Sequence, residues 1–254
     1  MSGLVDLAGK NAIVTGGSRG VGRATALLLA KAGADVGIGY RSRSDDAEEV
    51  VEAIRAEGRQ AWAEGGDLAV VANVERLFAT ADREFDGLDV FVGNHGVWPA
   101  DDVPLSEMTD DQWHNTLEAN LHSVFYACRS AAQRLRPGGR LVLVGSTAGQ
   151  RGEAYHADYA TTKGAMISLV KGFCVELAPR DITVNCVAPG WIDTEMVESA
   201  VSNAGRRRIE ETIPVGRLAS PEDIAGPIVF LCSELARHVT GEILNVNGGA
   251  VLVG

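Results

Sequence analysis

Four aliphatic residues in a row, Leu141-Val142-Leu143-Val144, leave no polar face for water. A strand with one solvated face alternates apolar and polar positions, whereas a strand covered on both faces does not. Short β-rich runs over 11–15, 35–40, 60–63, 88–93, 140–145, 182–187 and 243–246 alternate with amphipathic stretches of helical length near 20–33, 45–57, 70–85, 109–136, 156–178 and 221–235. This alternation predicts an α/β fold in which a seven-stranded parallel sheet carries helices on both faces, joined by right-handed crossovers in the doubly wound manner. The helix boundaries agree. Ser220-Pro221-Glu222-Asp223 supplies an N-cap hydroxyl, a proline at the first helical position and acidic residues in the first turn.

The 254 residues contain no Pro/Gly/Ser linker, repeat or low-complexity tract, so one domain over 1–254 is expected. The start, Met1-Ser2-Gly3-Leu4-Val5-Asp6, lacks the basic end and apolar run of a signal peptide. No stretch approaches the roughly 18 apolar residues of a membrane span, and a cytoplasmic protein is expected. A net charge of -11 argues against nucleic acid or an anionic membrane as the main partner. Cys128, Cys174, Cys186 and Cys232 are scattered through apolar contexts without Cys-x-x-Cys spacing, which predicts buried thiols rather than disulfides or metal ligands. The segment 194–214 differs from the rest. It is polar, carries Arg206-Arg207-Arg208 before Glu210-Glu211, and lies between Pro189-Gly190 and Pro214. It reads as a flap over a site or as an exposed excursion.

Doubly wound sheets bind ligands beyond the carboxyl ends of their strands, so the residues just after each strand carry the information. The first strand runs into Thr15-Gly16-Gly17-Ser18-Arg19-Gly20-Val21-Gly22 and then a helical pattern. Glycines there let the backbone turn sharply and approach a pyrophosphate, whose charge meets the amides at the positive end of the helix. The spacing is Gly-x-x-x-Gly-x-Gly rather than the commoner Gly-x-Gly-x-x-Gly. After the second strand no Asp or Glu lies between Val36 and Ser44, while Arg41 and Arg19 are available. A ribose 2′-hydroxyl wants a carboxylate and a 2′-phosphate wants a cation, so the expected cofactor is NADP(H).

Tyr159 and Lys163 stand one helical turn apart, with Ser146 thirteen residues upstream of Tyr159. The spacing puts phenol and ammonium on one helix face. A cation at about 4 Å in an effective dielectric near 20 is worth roughly 4 kcal/mol, or up to about 3 pKa units. The expectation is a phenol lowered from about 10 towards the working range of an acid-base catalyst.

With these residues assembled, the chain resembles the short-chain dehydrogenase/reductase family over essentially its whole length, and hence a single Rossmann domain. The resemblance rests on Thr15-Gly16-x-x-x-Gly20-x-Gly22, Asp67-Leu68, Gly93-Asn94-His95-Gly96, Asn120, Ser146, Tyr159-x-x-x-Lys163 and Pro189-Gly190-Trp191-Ile192-Asp193-Thr194. It implies that Tyr159 is the general acid in reduction, that Ser146 bonds the carbonyl oxygen, and that Lys163 binds the nicotinamide ribose and tunes the phenol. Asn120 would hold a water joining Lys163 to solvent. The implied cofactor set is Gly16, Ser18, Arg19, Gly20, Val21 and Gly22 with Arg41 and Ser42, then Asp67 and Leu68 at the adenine. Asn94 and Gly96 on the ribose side, Tyr159, Lys163, Pro189 and Gly190, and Ile192 and Thr194 at the nicotinamide amide and pyrophosphate complete it.

The family's Asn-Asn-Ala-Gly becomes Gly93-Asn94-His95-Gly96, which puts an imidazole where a small side chain is usual. His95 is expected to narrow the mouth, to touch cofactor or substrate, or to pack passively, and His156 to contact substrate, with neither histidine catalytic. Trp98, Trp191 and Met196 suggest a partly apolar pocket.

The C-terminal third, with Ile213-Pro214-Val215-Gly216-Arg217-Leu218 and Thr240-Gly241-Glu242-Ile243-Leu244-Asn245-Val246-Asn247-Gly248-Gly249, is most similar to the 3-oxoacyl-(acyl-carrier-protein) reductase branch. That branch implies a 3-oxoacyl thioester substrate, a homotetramer, and an acidic acyl carrier protein as partner, for which Arg129 and Arg180 are candidate docking residues. Pro137 stands where carrier-dependent enzymes often place a basic residue. A sugar, polyol or steroid alcohol dehydrogenase and a non-catalytic dinucleotide sensor are the alternatives.

Overall fold

A computed structural model describes residues 4–198 and 203–252. Seven parallel strands form one sheet: β1 Asn11–Thr15, β2 Asp35–Tyr40, β3 Ala61–Gly65, β4 Leu88–Gly93, β5 Leu135–Val144, β6 Thr183–Pro189 and β7 Ile243–Val246. Their order in space is β3-β2-β1-β4-β5-β6-β7. The chain starts in the middle, winds outward to β3, and returns to lay β4 against the other side of β1. The crevice between β1 and β4 is therefore the point where the winding reverses, which is where such sheets bind ligands.

The helices are α1 Gly20–Lys31, α2 Ser44–Ala56, α3 Val71–Glu84, α4 Asp110–Leu117, α5 Ser123–Arg134, α6 Ala148–Arg151, α7 Ala157–Leu177, α8 Glu195–Glu198, α9 Asn203–Thr212 and α10 Pro221–Leu231. Unbroken apolar strands have a direct explanation in the packing. In β5, Val142 and Val144 face a core shared with Leu29 of α1, Ile54 of α2 and Ile228 of α10. Leu141 and Leu143 face the opposite core, with Phe78 of α3, Ala127 of α5 and Met166 of α7. Neither face of the central strands meets water. At α10 the hydroxyl of Ser220 accepts from the Asp223 amide at 3.3 Å and the Asp223 carboxylate accepts from the Ser220 amide at 2.8 Å, a reciprocal cap that fixes the helix start.

Several boundaries differ from those expected; the sixth strand, for one, runs Thr183–Pro189 rather than over 182–187. The third strand begins at Ala61 rather than at residue 60. The fifth strand begins at Leu135, which pairs with Leu88, while Arg140 pairs with Val90; residues 136–139 bulge out of the ladder. Pro137 has no amide to donate and Gly138 adopts a φ of 80°, so the segment cannot continue the pairing. The long helix expected over 109–136 is interrupted by a π turn, Glu118–His122, between α4 and α5.

All four cysteines are buried. Burial pushes the thiols of Cys128 and Cys232 up to about 12 and that of Cys186 up to about 11 from an ordinary 9.0. Below pH 9 folded and unfolded chains both hold these protons. Above it the unfolded chain releases them and the folded chain does not, so stability falls as pH rises. Lys163 acts in the opposite sense, since burial holds its ammonium at about 8 against 10.5. Between pH 9 and 10.5 three thiols oppose one ammonium, a net loss of about 3 kcal/mol per pH unit. Melting temperature under reducing conditions is expected to rise slightly between pH 8 and 9, where Lys163 acts before the thiols, and then to drop steeply. An unchanged value at pH 10 would contradict this account.

Candidate active site

The turn after β1 is built by glycine where no other residue fits. Gly16 adopts a φ of 64°, and a Cβ on Gly22 would lie 2.1 Å from the Gly16 carbonyl oxygen and 2.5 Å from the Asn94 amide nitrogen. Asn94 staples the turn from β4, its side-chain amide donating to the carbonyls of Thr15 and Gly16 at 3.1 Å each. Arg19 holds the N-cap of α1 in an extended conformation. An arginine has no acceptor with which to cap, so the first-turn amides and the positive end of the helix are left to face an anion.

That turn is one wall of a cleft of about 720 Å³ along the carboxyl ends of β1, β2, β4, β5 and β6. Gly16, Ser18, Arg19, Gly20 and Val21 line one end, together with Arg41, Ser42, Asp67 and Leu68. Asn94, Gly96, Pro189, Gly190, Ile192 and Thr194 line the middle, and Ser146, Tyr159 and Lys163 the far end. Of the residues expected here, Gly22 and Asn120 stand behind the wall: Gly22 is buried under the turn and Asn120 is fully buried. The glycine turn, an α1 start that no side chain caps and a cleft lined by both polar and apolar groups fit a dinucleotide.

Tyr159 is held by the start of α7. Buried Asp158 accepts from the Tyr159 amide at 2.8 Å and from the Thr116 hydroxyl at 2.8 Å, tying α7 to α4. Lys163 is buried, donates to the Val144 carbonyl at 2.9 Å, and lies 5.7 Å from the centre of the Tyr159 ring. The expected lowering of the phenol is not what these residues produce. Burial pushes Tyr159 up to about 12, opposed by the Ser146 hydroxyl and reinforced by the Glu153 carboxylate. Desolvation outweighs the neighbouring cation because the ammonium is turned to Val144 and is itself reluctant to ionise, at about 8. Tyr159 is thus a neutral proton donor at pH 7.

His95 neither projects into the cleft as a free group nor packs passively. Its Nδ1 lies 2.7 Å from the Thr15 hydroxyl and its Nε2 lies 2.9 Å from the Ser123 hydroxyl. The Ser123 hydroxyl donates to the Ala119 carbonyl at 2.7 Å, so it accepts from a protonated Nε2. The Thr15 hydroxyl, which also lies 3.3 Å from the Val92 carbonyl, turns its proton to Nδ1 at the shorter 2.7 Å. Burial, helped by Lys163, drops the imidazole to about 4, consistent with this neutral tautomer. The ring is a strut between β1 and the start of α5.

The Asn120 side chain is likewise committed. Its Oδ1 accepts from the Val97 amide at 2.7 Å and its Nδ2 donates to the Val97 carbonyl at 2.8 Å. A water beside Lys163 would have to bond to backbone instead, and the π turn that carries Asn120 is the kind of irregularity that reshapes backbone at functional sites.

An aromatic cluster packs on the segments that flank the cleft. Trp98 stacks on His156 with ring centres 4.7 Å apart, and Trp191 meets Trp98 edge-on at 5.9 Å. His156 is 3% exposed, with Nδ1 3.3 Å from the Ala154 carbonyl. Glu153 hydrogen-bonds the Trp98 indole, and burial raises its carboxyl above the usual range. The side chain of Met196 lies outside the described part of the structure. Arg206 of α9 clamps Asp193 at 2.6 Å, anchoring the segment after β6.

Two charged residues were not singled out from the sequence. Arg43 lines the cleft beside Arg41, and Glu195 of α8 lines it from the opposite side. Glu195 pairs with Arg19 at 2.8 Å and with Arg43 at 2.9 Å. An acid next to the Thr194 motif and a second arginine after β2 were the available signals. Of the two candidate docking arginines, Arg180 is spent on the Ala132 and Leu135 carbonyls, whereas Arg129 lies over the Phe125 ring at 5.0 Å.

Residues 16–251 match the sequence profile of a family described as enoyl-(acyl carrier protein) reductase. The chain is 38% identical over 247 residues to the 3-oxoacyl-(acyl-carrier-protein) reductase of Salmonella typhimurium, covering 96% of this chain and 98% of that one. It superposes on a short-chain dehydrogenase from Burkholderia cenocepacia in complex with NADP with a TM-score of 0.90, 36% identity, and 96% and 98% of the two chains covered. A short-chain glucose/ribitol dehydrogenase from Brucella melitensis gives a TM-score of 0.92 at 33% identity, covering 98% and 99%.

Proposed function

We propose, for a chain that belongs to the short-chain dehydrogenase/reductase family of oxidoreductases, that it reduces a ketone to a secondary alcohol at the expense of NADPH, with a 3-oxoacyl thioester as the leading acceptor. One observation carries the reading: Ser146, Tyr159 and Lys163 share a single cleft with the glycine turn and with the cations Arg19, Arg41 and Arg43. The Burkholderia relative's NADP complex and the name of the Salmonella relative support cofactor and acceptor respectively.

When bound, NADPH supplies the hydride. Ser146 hydrogen-bonds the substrate oxygen and polarises the carbonyl. Tyr159, protonated because burial holds it at about 12, donates its proton as negative charge develops on that oxygen. Lys163 remains charged below its value of about 8 and holds the ribose hydroxyls while lowering the cost of the phenolate left behind. The initial protonation state therefore suits reduction at neutral pH. Asp67 and Leu68 would border the adenine, and Asn94, Gly96, Pro189, Gly190, Ile192 and Thr194 would hold the nicotinamide half.

A homotetramer in the cytoplasm accompanies this reading, supported by exposed Phe125 on α5 and Val175 on α7, at 46% and 70% exposure. The excursion over 194–214 would cover the substrate, although residues 199–202 lie outside the described structure. Docking of an acyl carrier protein falls to Arg129, because Arg180 is used internally. A second reading, a sugar or polyol dehydrogenase, draws on the polar Glu153 and His156 beside Tyr159 and on the likeness to the Brucella enzyme.

NADPH consumption with acetoacetyl thioesters, cyclic ketones and sugars separates these. The highest kcat/KM is expected on the thioester. Preference for a sugar establishes the second reading, and no turnover on any carbonyl overturns both.

A further inference from the structure

We propose that Glu195 sets cofactor selectivity by occupying Arg19 and Arg43, two of the three guanidiniums, with Arg41, that the cleft offers a 2′-phosphate. The inference rests on the NADP(H) reading and concerns a residue from the far side of the cleft. Glu195 Oε2 lies 2.8 Å from Arg19 and 2.9 Å from Arg43, with Arg43 also reaching Asp46 at 3.4 Å. All three pairing residues line the same cleft as Gly20 and Arg41. One carboxylate oxygen therefore bridges the cations at the end of α1 and after β2, at the adenosine end of the site.

The pairs are exposed, about half so for each partner, and pairs of this kind are weak. A 2′-phosphate carries nearly two charges and makes bidentate contacts with arginine, so it displaces the carboxylate while losing part of its binding energy in doing so. A 2′-hydroxyl has no charge with which to compete. It can donate to a carboxylate instead, so Glu195 supplies the acid that the end of β2 lacks. The same side chain thus penalises the phosphorylated cofactor and accommodates the unphosphorylated one.

Binding of NADP+, NAD+ and 2′,5′-ADP to the full-length protein by calorimetry tests this without turnover. In Glu195→Gln, the dissociation constants of NADP+ and 2′,5′-ADP are expected to fall by about 3- to 10-fold, with NAD+ unchanged or weaker. The gain should shrink at high salt and in an Arg43→Gln background, where the displaced pair no longer exists. An unchanged ratio of NADP+ to NAD+ affinity in Glu195→Gln, or equal shifts for both, overturns the proposal. The wild-type ratio tests the cofactor reading separately, since Glu195→Gln must raise that ratio whatever its starting value.

Discussion

Tyr159→Phe is expected to reduce kcat for ketone reduction by about 10²- to 10⁴-fold, the range assigned to loss of a positioned general acid. The ring remains to fill its place beside Ser146, and Asp158 still accepts from the backbone amide of residue 159, so melting temperature and NADP+ affinity should stay close to wild type. Neither His95 nor Lys163 can replace the lost proton. His95 is neutral, held at about 4, with both nitrogens committed, and the Lys163 ammonium is directed to Val144. Steady-state kinetics with the best substrate of the panel, beside cofactor titration, provide the check. Turnover within tenfold of wild type, with binding intact, removes Tyr159 from the chemistry.

The second large effect is expected at Gly22→Ala. The added methyl would sit 2.1 Å from the Gly16 carbonyl oxygen, which is backbone of the turn, and 2.5 Å from the Asn94 side-chain amide that staples it. Relief requires the turn to open and Asn94 to lose its bonds to Thr15 and Gly16. Overpacking of this kind costs about 1–3 kcal/mol, and displaced amides no longer converge on the pyrophosphate. NADP+ affinity should fall by roughly 10- to 100-fold, with a lower melting temperature. Wild-type affinity would show that the close approach at Gly22 is dispensable.

What was legible in the residues was whatever is decided locally. Strands at 11–15, 35–40, 88–93 and 243–246 were readable to the residue, because apolar runs bounded by turn residues leave little choice. The glycine turn and the residues behind each strand were legible for the same reason. Leu135 was not, since Pro137-Gly138-Gly139 separates it from the rest of β5 and hides its pairing with Leu88. Nor does a 3.6-residue periodicity announce the π turn at Asn120. Contacts across large separations escaped altogether: His95 meets Thr15 from 80 residues away, and Glu195 meets Arg19 from 176. The direction of the Tyr159 shift escaped because spacing reveals the cation but not how dry the phenol will be.

Because every strand runs the same way, the molecule has two unlike rims. One collects the ends that line the cleft, and the other, among the described residues, holds return turns such as those at Gly33, Gly58 and Gly87. Descendants of this chain can therefore acquire new substrates by revising one edge while the opposite edge drifts, and a designer seeking a tag, a graft or a surface attachment should work from the quiet side.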